Sequence, residues 1–175
     1  MPDKKGNLFL YEALELRAEY SRHIGLLENL MGDASKKHGL FRDNDEHKEP
    51  AADFNLKEIG EKLKKLQTKQ VKLNQELQRT NFEAQIEYKG ERISIAEALE
   101  IRKNLIEDIK AMAERVENSS YKRVIHKEER DIVQEPRHRF GEIYMEYQDS
   151  IRKLRQLGNR IHAVNYLATV KFKDE

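Results

Sequence analysis

Residues 56–80 read LKEIGEKLKKLQTKQVKLNQELQRT, and this stretch decides the fold. Leu56, Ile59, Leu63, Leu66, Gln70, Leu73, Leu77 and Thr80 follow one another at alternating steps of three and four. That is a heptad seam, the pattern of a helix packed knobs-into-holes against another helix. Charged and amide side chains fill most of the intervening positions, so the other faces belong to water. Gln70 is the polar residue in the middle of the seam. A polar group there fixes register and partner at some cost in stability. Asn55 or Asp53 stands where an N-cap is needed.

Outward from the seam the chain continues in the same style. Residues 8–31 carry a helical stripe of Ala13, Leu16, Tyr20, Leu27 and Leu30, with His23 on it and Gly32 placed as C-cap. Residues 33–53 lose all periodicity and are rich in charge, which predicts a mobile surface linker with Leu40-Phe41 as its one apolar docking point. Residues 84–93 switch to period two and turn near Gly90, as a short hairpin does. Ser94 with Glu97 three residues on is a capping box, opening a third helix that ends near Asn118-Ser119-Ser120. Val124-Ile125 and Ile132-Val133 predict two extended segments or a loose hairpin before Pro136. A fourth helix is expected over 138–164 with Phe140, Ile143, Tyr147, Ile151, Leu154, Leu157, Ile161 and Val164 on its buried face, and 166–172 return to alternation. The fold class expected is therefore mainly α: an antiparallel helical bundle with coiled-coil character and a small β-hairpin or sheet element. Residues 1–175 are read as a single helical domain, its β element made from 84–93 and 166–172 and joined by 123–133.

Composition agrees. Among 175 residues, 37% are charged and 38% hydrophobic, with three prolines and no tryptophan. An average soluble domain is roughly 25% charged, so long solvated helices are favoured over a thick core. Lys+Arg 33 against Asp+Glu 32 gives a net charge of +1, which supplies no global attraction for nucleic acid or an anionic membrane. The absence of cysteine removes disulfides, thiol catalysis and cysteine-held metals. The apolar run Leu8-Phe9-Leu10-Tyr11 is too short for a signal peptide, and no stretch approaches a membrane span. A cytoplasmic protein is expected.

Two helix exits match. Leu77-Gln78-Arg79-Thr80-Asn81-Phe82-Glu83-Ala84-Gln85-Ile86-Glu87-Tyr88 aligns with Ile161-His162-Ala163-Val164-Asn165-Tyr166-Leu167-Ala168-Thr169-Val170-Lys171-Phe172. Asn tolerates the left-handed backbone that halts a helix, so Asn81, Phe82, Asn165 and Tyr166 read as repeated structural joints beside an interface. The run from Leu77 to Lys110, with Arg79-Thr80-Asn81, the Gly90 turn and Ile95-Ala96-Glu97-Ala98-Leu99-Glu100-Ile101-Arg102, resembles a family of small bacterial helical proteins often labelled septicolysin. Glu12-Ala13-Leu14-Glu15-Leu16-Arg17-Ala18 and Ile161-His162-Ala163-Val164-Asn165-Tyr166 share that resemblance. Family members usually carry Trp and Thr around the final Asn, where Val164 and Tyr166 stand here. The label implies a membrane-active, pore-forming protein, and the lack of cysteine sets this chain apart from the thiol-activated kind. No catalytic residues carry over from the family.

The chemistry-bearing constellations are weak. No His-Glu-x-x-His, Gly-x-Ser-x-Gly or Gly-rich phosphate loop occurs, so no catalytic, cofactor-binding or metal site is inferred, and no small-molecule substrate. His38 and His47 sit in the charged linker. The best basic segment runs from Tyr121 to Phe140 and holds Lys122, Arg123, Lys127, Arg130, Arg137 and Arg139. Phosphate contacts and stacking on the flanking aromatics would suit single-stranded nucleic acid. The first functional expectation is a non-enzymatic scaffold that self-assembles as a homo-oligomer through its amphipathic helices. The second is a nucleic-acid-binding accessory factor, and the third a septicolysin-like membrane-active protein.

Overall fold

The computed structural model describes residues 7–35, 51, 53–126, 128 and 130–174, without the side chains of 33–35. In chain order the elements are β1 (Asn7–Phe9), α1 (Leu10–Ser35), α2 (Leu56–Glu83), β2 (Gln85–Tyr88), β3 (Glu91–Ser94), α3 (Ile95–Ser119), β4 (Arg123–Ile125), β5 (Ile132–Gln134), α4 (Phe140–Asn165) and β6 (Thr169–Lys171). The protein is mainly α, with small antiparallel strand pairs. The sequence reading takes 1–175 as one domain; the contacts gather in two compact units, one of residues 1–80 with 167–175 and one of 81–166. Most of the 33–53 stretch, Leu40-Phe41 included, lies outside the described residues, and 33–35 belong to α1.

In the first unit, β1 pairs antiparallel with β6, setting Leu8 opposite Val170. The seam of α2 meets α1. Gln70 Nε2 donates to Ser21 Oγ at 2.9 Å and Gln67 Nε2 to Glu28 Oε1 at 3.2 Å, while Gly60 lies beside Met31. Those pairings set α1 and α2 in opposite directions, and they give Gln70 the partner that a seam amide needs. Burial deepens along α2, from Leu56 at 44% exposed, through half-buried Ile59, Leu63, Leu66 and Gln70, to Leu73 at 0%. The core is Leu10, Ala13, Tyr20, Ile24, Leu27, Leu73, Leu77, Val170 and Phe172. Asn55 caps α2, its Oδ1 accepting from the Lys57 and Glu58 amides at 3.1 and 3.4 Å. At the chain's end the Asp174 carboxylate accepts from the Tyr20 hydroxyl and, at 2.8 Å, from Lys69 Nζ, tying the last residues to both helices. Burial, and then that carboxylate, push the Tyr20 hydroxyl's pKa up, whereas Lys69 and then Tyr20 hold Asp174 below the usual carboxylate range.

In the second unit, β2 and β3 form a hairpin in register Gln85↔Ser94, turning through Lys89 (φ 53°) and Gly90 (φ 86°). Two successive positive φ angles define a type I′ turn, whose twist matches the flanking strands. The capping box at Ser94 is complete: Glu97 N donates to Ser94 Oγ at 3.1 Å, and Ser94 N to Glu97 Oε2 at 2.7 Å. These bonds hold the Glu97 carboxyl below its ordinary pKa, the Ser94 amide contributing most. Antiparallel to α3 runs α4. Ser150 Oγ faces Met112 Sδ at 3.5 Å midway, and the Arg160 guanidinium donates to the Glu87 carbonyl near the hairpin. Ile86, Ile95, Ala98, Ile143, Leu157 and Ile161 form this core.

The two units repeat one plan. Leu10 N donates to the Ala168 carbonyl at 2.8 Å, and Ile95 N to the Ala84 carbonyl at 3.0 Å. Phe9 N donates to Glu12 Oε2 at 2.8 Å just as Ser94 N does to Glu97. Leu10-Tyr11-Glu12-Ala13-Leu14-Glu15-Leu16-Arg17 then aligns with Ile95-Ala96-Glu97-Ala98-Leu99-Glu100-Ile101-Arg102. Each unit thus has a strand pair leading into two helices, the second unit adding the β4–β5 hairpin between them, and in each the second helix hands its exit strand to the other unit.

The structure departs from the sequence reading in several places. Phe140 and Ile151, read as part of the buried face of the fourth helix, are 46% and 40% exposed, because the side turned to α3 is that of Ile143, Ser150, Leu157 and Ile161. Residues 7–9 form a strand rather than the start of a helix, because their partner β6 lies at the far end of the chain. The helix α1 runs through Gly32 instead of stopping there, and His23 is exposed while Ile24 takes the buried position. Neither Asn stops its helix by a left-handed turn: Asn81 lies inside α2, Asn165 is the last residue of α4, and Lys89 is the non-glycine residue with positive φ among those described. The strands form three separate pairs, β1–β6, β2–β3 and β4–β5, not one joined element.

Candidate functional site

The chain between α3 and α4 is the β4–β5 hairpin, in register Arg123↔Gln134, Val124↔Val133 and Ile125↔Ile132. Its root is built by two helix ends. The Ser119 and Ser120 hydroxyls donate to the Val116 carbonyl at 2.9 and 2.8 Å, closing α3. Pro136 ends the second strand, since it has no amide to donate. Arg139 then starts α4, its carbonyl accepting from Glu142 and Ile143 at 3.2 and 3.3 Å. One step beyond the ladder, Lys122 Nζ meets Glu135 Oε1 at 2.7 Å; at the opposite end His126 Nδ1 lies 2.8 Å from Asp131 Oδ1. Both pairs are solvent-exposed, so each contributes at most about 1 kcal/mol.

Two adjoining hollows open at this root, of about 350 and 470 Å³, within the range of small ligand pockets (about 300–1,000 Å³). Both include Ser119, Tyr121, Glu135, Pro136, Arg137 and His138. The larger adds Arg115 and Arg123, the smaller Lys122 and Arg139. Glu135, the one carboxylate on their walls, is engaged by Lys122, and Arg139 leans toward Glu142 at 3.5 Å. Arg115, Arg123 and Arg137 make no ion pair among the described residues. The Tyr121 ring is 85% exposed, and Phe140 stacks on Tyr144 with centroids 5.5 Å apart.

Of the basic residues singled out from sequence, Lys122, Arg123, Arg137 and Arg139 come together at this root. Arg130 is exposed beyond the distal end of the ladder and lines neither hollow, and Lys127 lies outside the described residues. Arg115 was missed. It belongs to α3, and only the return of the chain through Pro136 brings Arg137 and His138 alongside it. The joint aromatics Phe82 and Tyr166 are 69% and 62% exposed, at the two places where the chain passes from one unit to the other.

Four long helices with small antiparallel strand pairs define a mainly α protein, and among the described residues no helix is long and apolar enough to cross a membrane. The fold is similar to the crystal structure of a functionally unknown conserved protein from Corynebacterium diphtheriae, with a TM-score of 0.72 and 23% identity over 94% of this chain and 99% of that one. Neither a family model nor a curated protein matches the chain.

Proposed function

We propose that this chain is a non-enzymatic structural protein that assembles with copies of itself through the α3–α4 pair. One observation carries the reading. The two helices bury few residues (Ile95, Ala98 and Ser119 on α3; Ile143, Ser150, Leu157 and Ile161 on α4) yet leave large apolar side chains open. Leu99 and Ile106 are 40% and 43% exposed; Phe140, Tyr144 and Ile151 are 46%, 41% and 40% exposed. Steps of seven and four put each group on one stripe of its helix. Both stripes lie on the same rotational side of their buried seams. Antiparallel helices therefore open both on one face of the pair, Leu99 and Ile106 toward the β2–β3 hairpin and Ile151, Tyr144 and Phe140 toward the other end, and apolar side chains exposed along one face favour a protein partner. A second copy supplies one at no extra cost in gene content.

The test is the mass in solution by light scattering at micromolar concentration. At least twice the 20.7 kDa of the chain is expected, falling to the single-chain mass in the L99K/I106K double variant. An assembly that survives this change but dissociates in Phe82→Ala or Tyr166→Ala has its interface at the joints instead. A wild-type monomer at every concentration ends the proposal.

A further inference from the structure

The basic root of the β4–β5 hairpin is independent of that apolar face in its chemistry. We infer that it binds single-stranded nucleic acid, with backbone phosphate at Arg115, Arg123 and Arg137 and a base stacked on Tyr121. Charge is the first argument. The chain as a whole carries +1, so this concentration of cations is local, and its one wall carboxylate is already neutralised by Lys122 at 2.7 Å. Three guanidinium groups remain without a carboxylate partner among the described residues, on three different pieces of chain: the last turns of α3, the start of β4 and the segment after Pro136. Guanidinium forks match phosphate oxygens two at a time.

The aromatic is the second argument. A tyrosine ring left 85% exposed beside a cationic hollow lacks the burial that normally retains such a ring. It offers a flat face of the kind on which successive bases stack, independent of base identity. Bases within a duplex are not available to it, whereas those of a single strand are. A lipid headgroup would use the phosphate contacts but not the ring.

The experiment is fluorescence anisotropy with labelled twenty-nucleotide oligo-dT and oligo-rU, the corresponding duplexes, and a parallel sedimentation arm with phosphatidylserine vesicles. Three phosphate contacts on a single strand predict that log K falls against log salt with a slope of about −2 between 50 and 200 mM. The R115A/R137A double variant should flatten that slope by about 1.4, two contacts' worth. Tyr121→Ala should weaken binding about 5- to 150-fold, the equivalent of one stacked base, and leave the slope unchanged. All three residues are exposed, and an unchanged thermal midpoint shows that the variants fold. Stronger binding to rU than to dT, or the reverse, assigns the natural strand within the proposal. Equal binding of duplex and single strand, insensitivity to the arginine variant, or binding to vesicles with none to oligonucleotides overturns it.

Discussion

Leu73 and Leu157 occupy equivalent places in the two units, and each is 0% exposed. Truncating either to alanine removes three carbons from a closed environment. Transfer alone accounts for about 2.4 kcal/mol at about 0.8 kcal/mol per methylene. Incomplete collapse of the cavity raises the loss to about 3–5 kcal/mol. Leu66 lies on the same seam but is half-buried, so its alanine variant should lose about half as much. Val71 is 56% exposed and should lose under about 0.5 kcal/mol. The assay is urea denaturation followed by far-ultraviolet circular dichroism at one fixed protein concentration, because self-assembly would otherwise shift the apparent stability. With a slope of about 2 kcal/mol per molar, the Leu73→Ala and Leu157→Ala midpoints should fall by about 1.5–2.5 M. Losses below about 0.5 kcal/mol at Leu73 would mean that this side of α2 faces solvent and packs against no other helix.

Two further outcomes are expected. The folded chain holds the Asp174 carboxylate below its ordinary pKa, so the group adds stability above its unfolded pKa and loses it as pH falls through the lower folded value. Acid titration of Asp174→Asn should therefore show a shallower loss of stability below about pH 4 than the parent, and identical acid limbs would refute the linkage. Lys89 holds a positive φ at a type I′ position that asparagine tolerates far better. Lys89→Asn should raise stability by about 0.5–1 kcal/mol in the same urea assay, since a left-handed backbone costs an ordinary side chain about 1–2 kcal/mol; a decrease would show that the lysine side chain, seated over the Tyr88 ring at 5.4 Å, matters more.

What the sequence makes legible here is local. The helix that the three-and-four steps from Leu56 to Thr80 predict, the Gly90 turn and the Ser94–Glu97 box each depend on residues a few positions apart, and each appears where its pattern stands. The loose hairpin at 123–133 is also local, although its charges blur it. What escapes is non-local. Leu8-Phe9 looks helical because the strand that makes it extended lies at 169–171. Arg115 looks like one more charge on a solvated helix until Arg137 is folded back beside it. The matched helix exits are visible as a repeat, but Asn81 and Asn165 are helical, so the signal marks where the chain changes unit and not how the helix stops.

The exchange of exit strands has a consequence for the order in which the chain acquires structure. The strand pair of the second unit closes between neighbours, Gln85–Tyr88 onto Glu91–Ser94, and its loop entropy is small. The strand pair of the first unit must join Asn7–Phe9 to Thr169–Lys171, across nearly the whole chain. Contacts of such long sequence separation are slow to form. During synthesis Asn7–Phe9 emerges well before Thr169–Lys171, and its edge stays open until that partner follows. The amino-terminal half of this protein is therefore the later half to be finished, and its exposed strand is the place where a nascent chain would meet a second one.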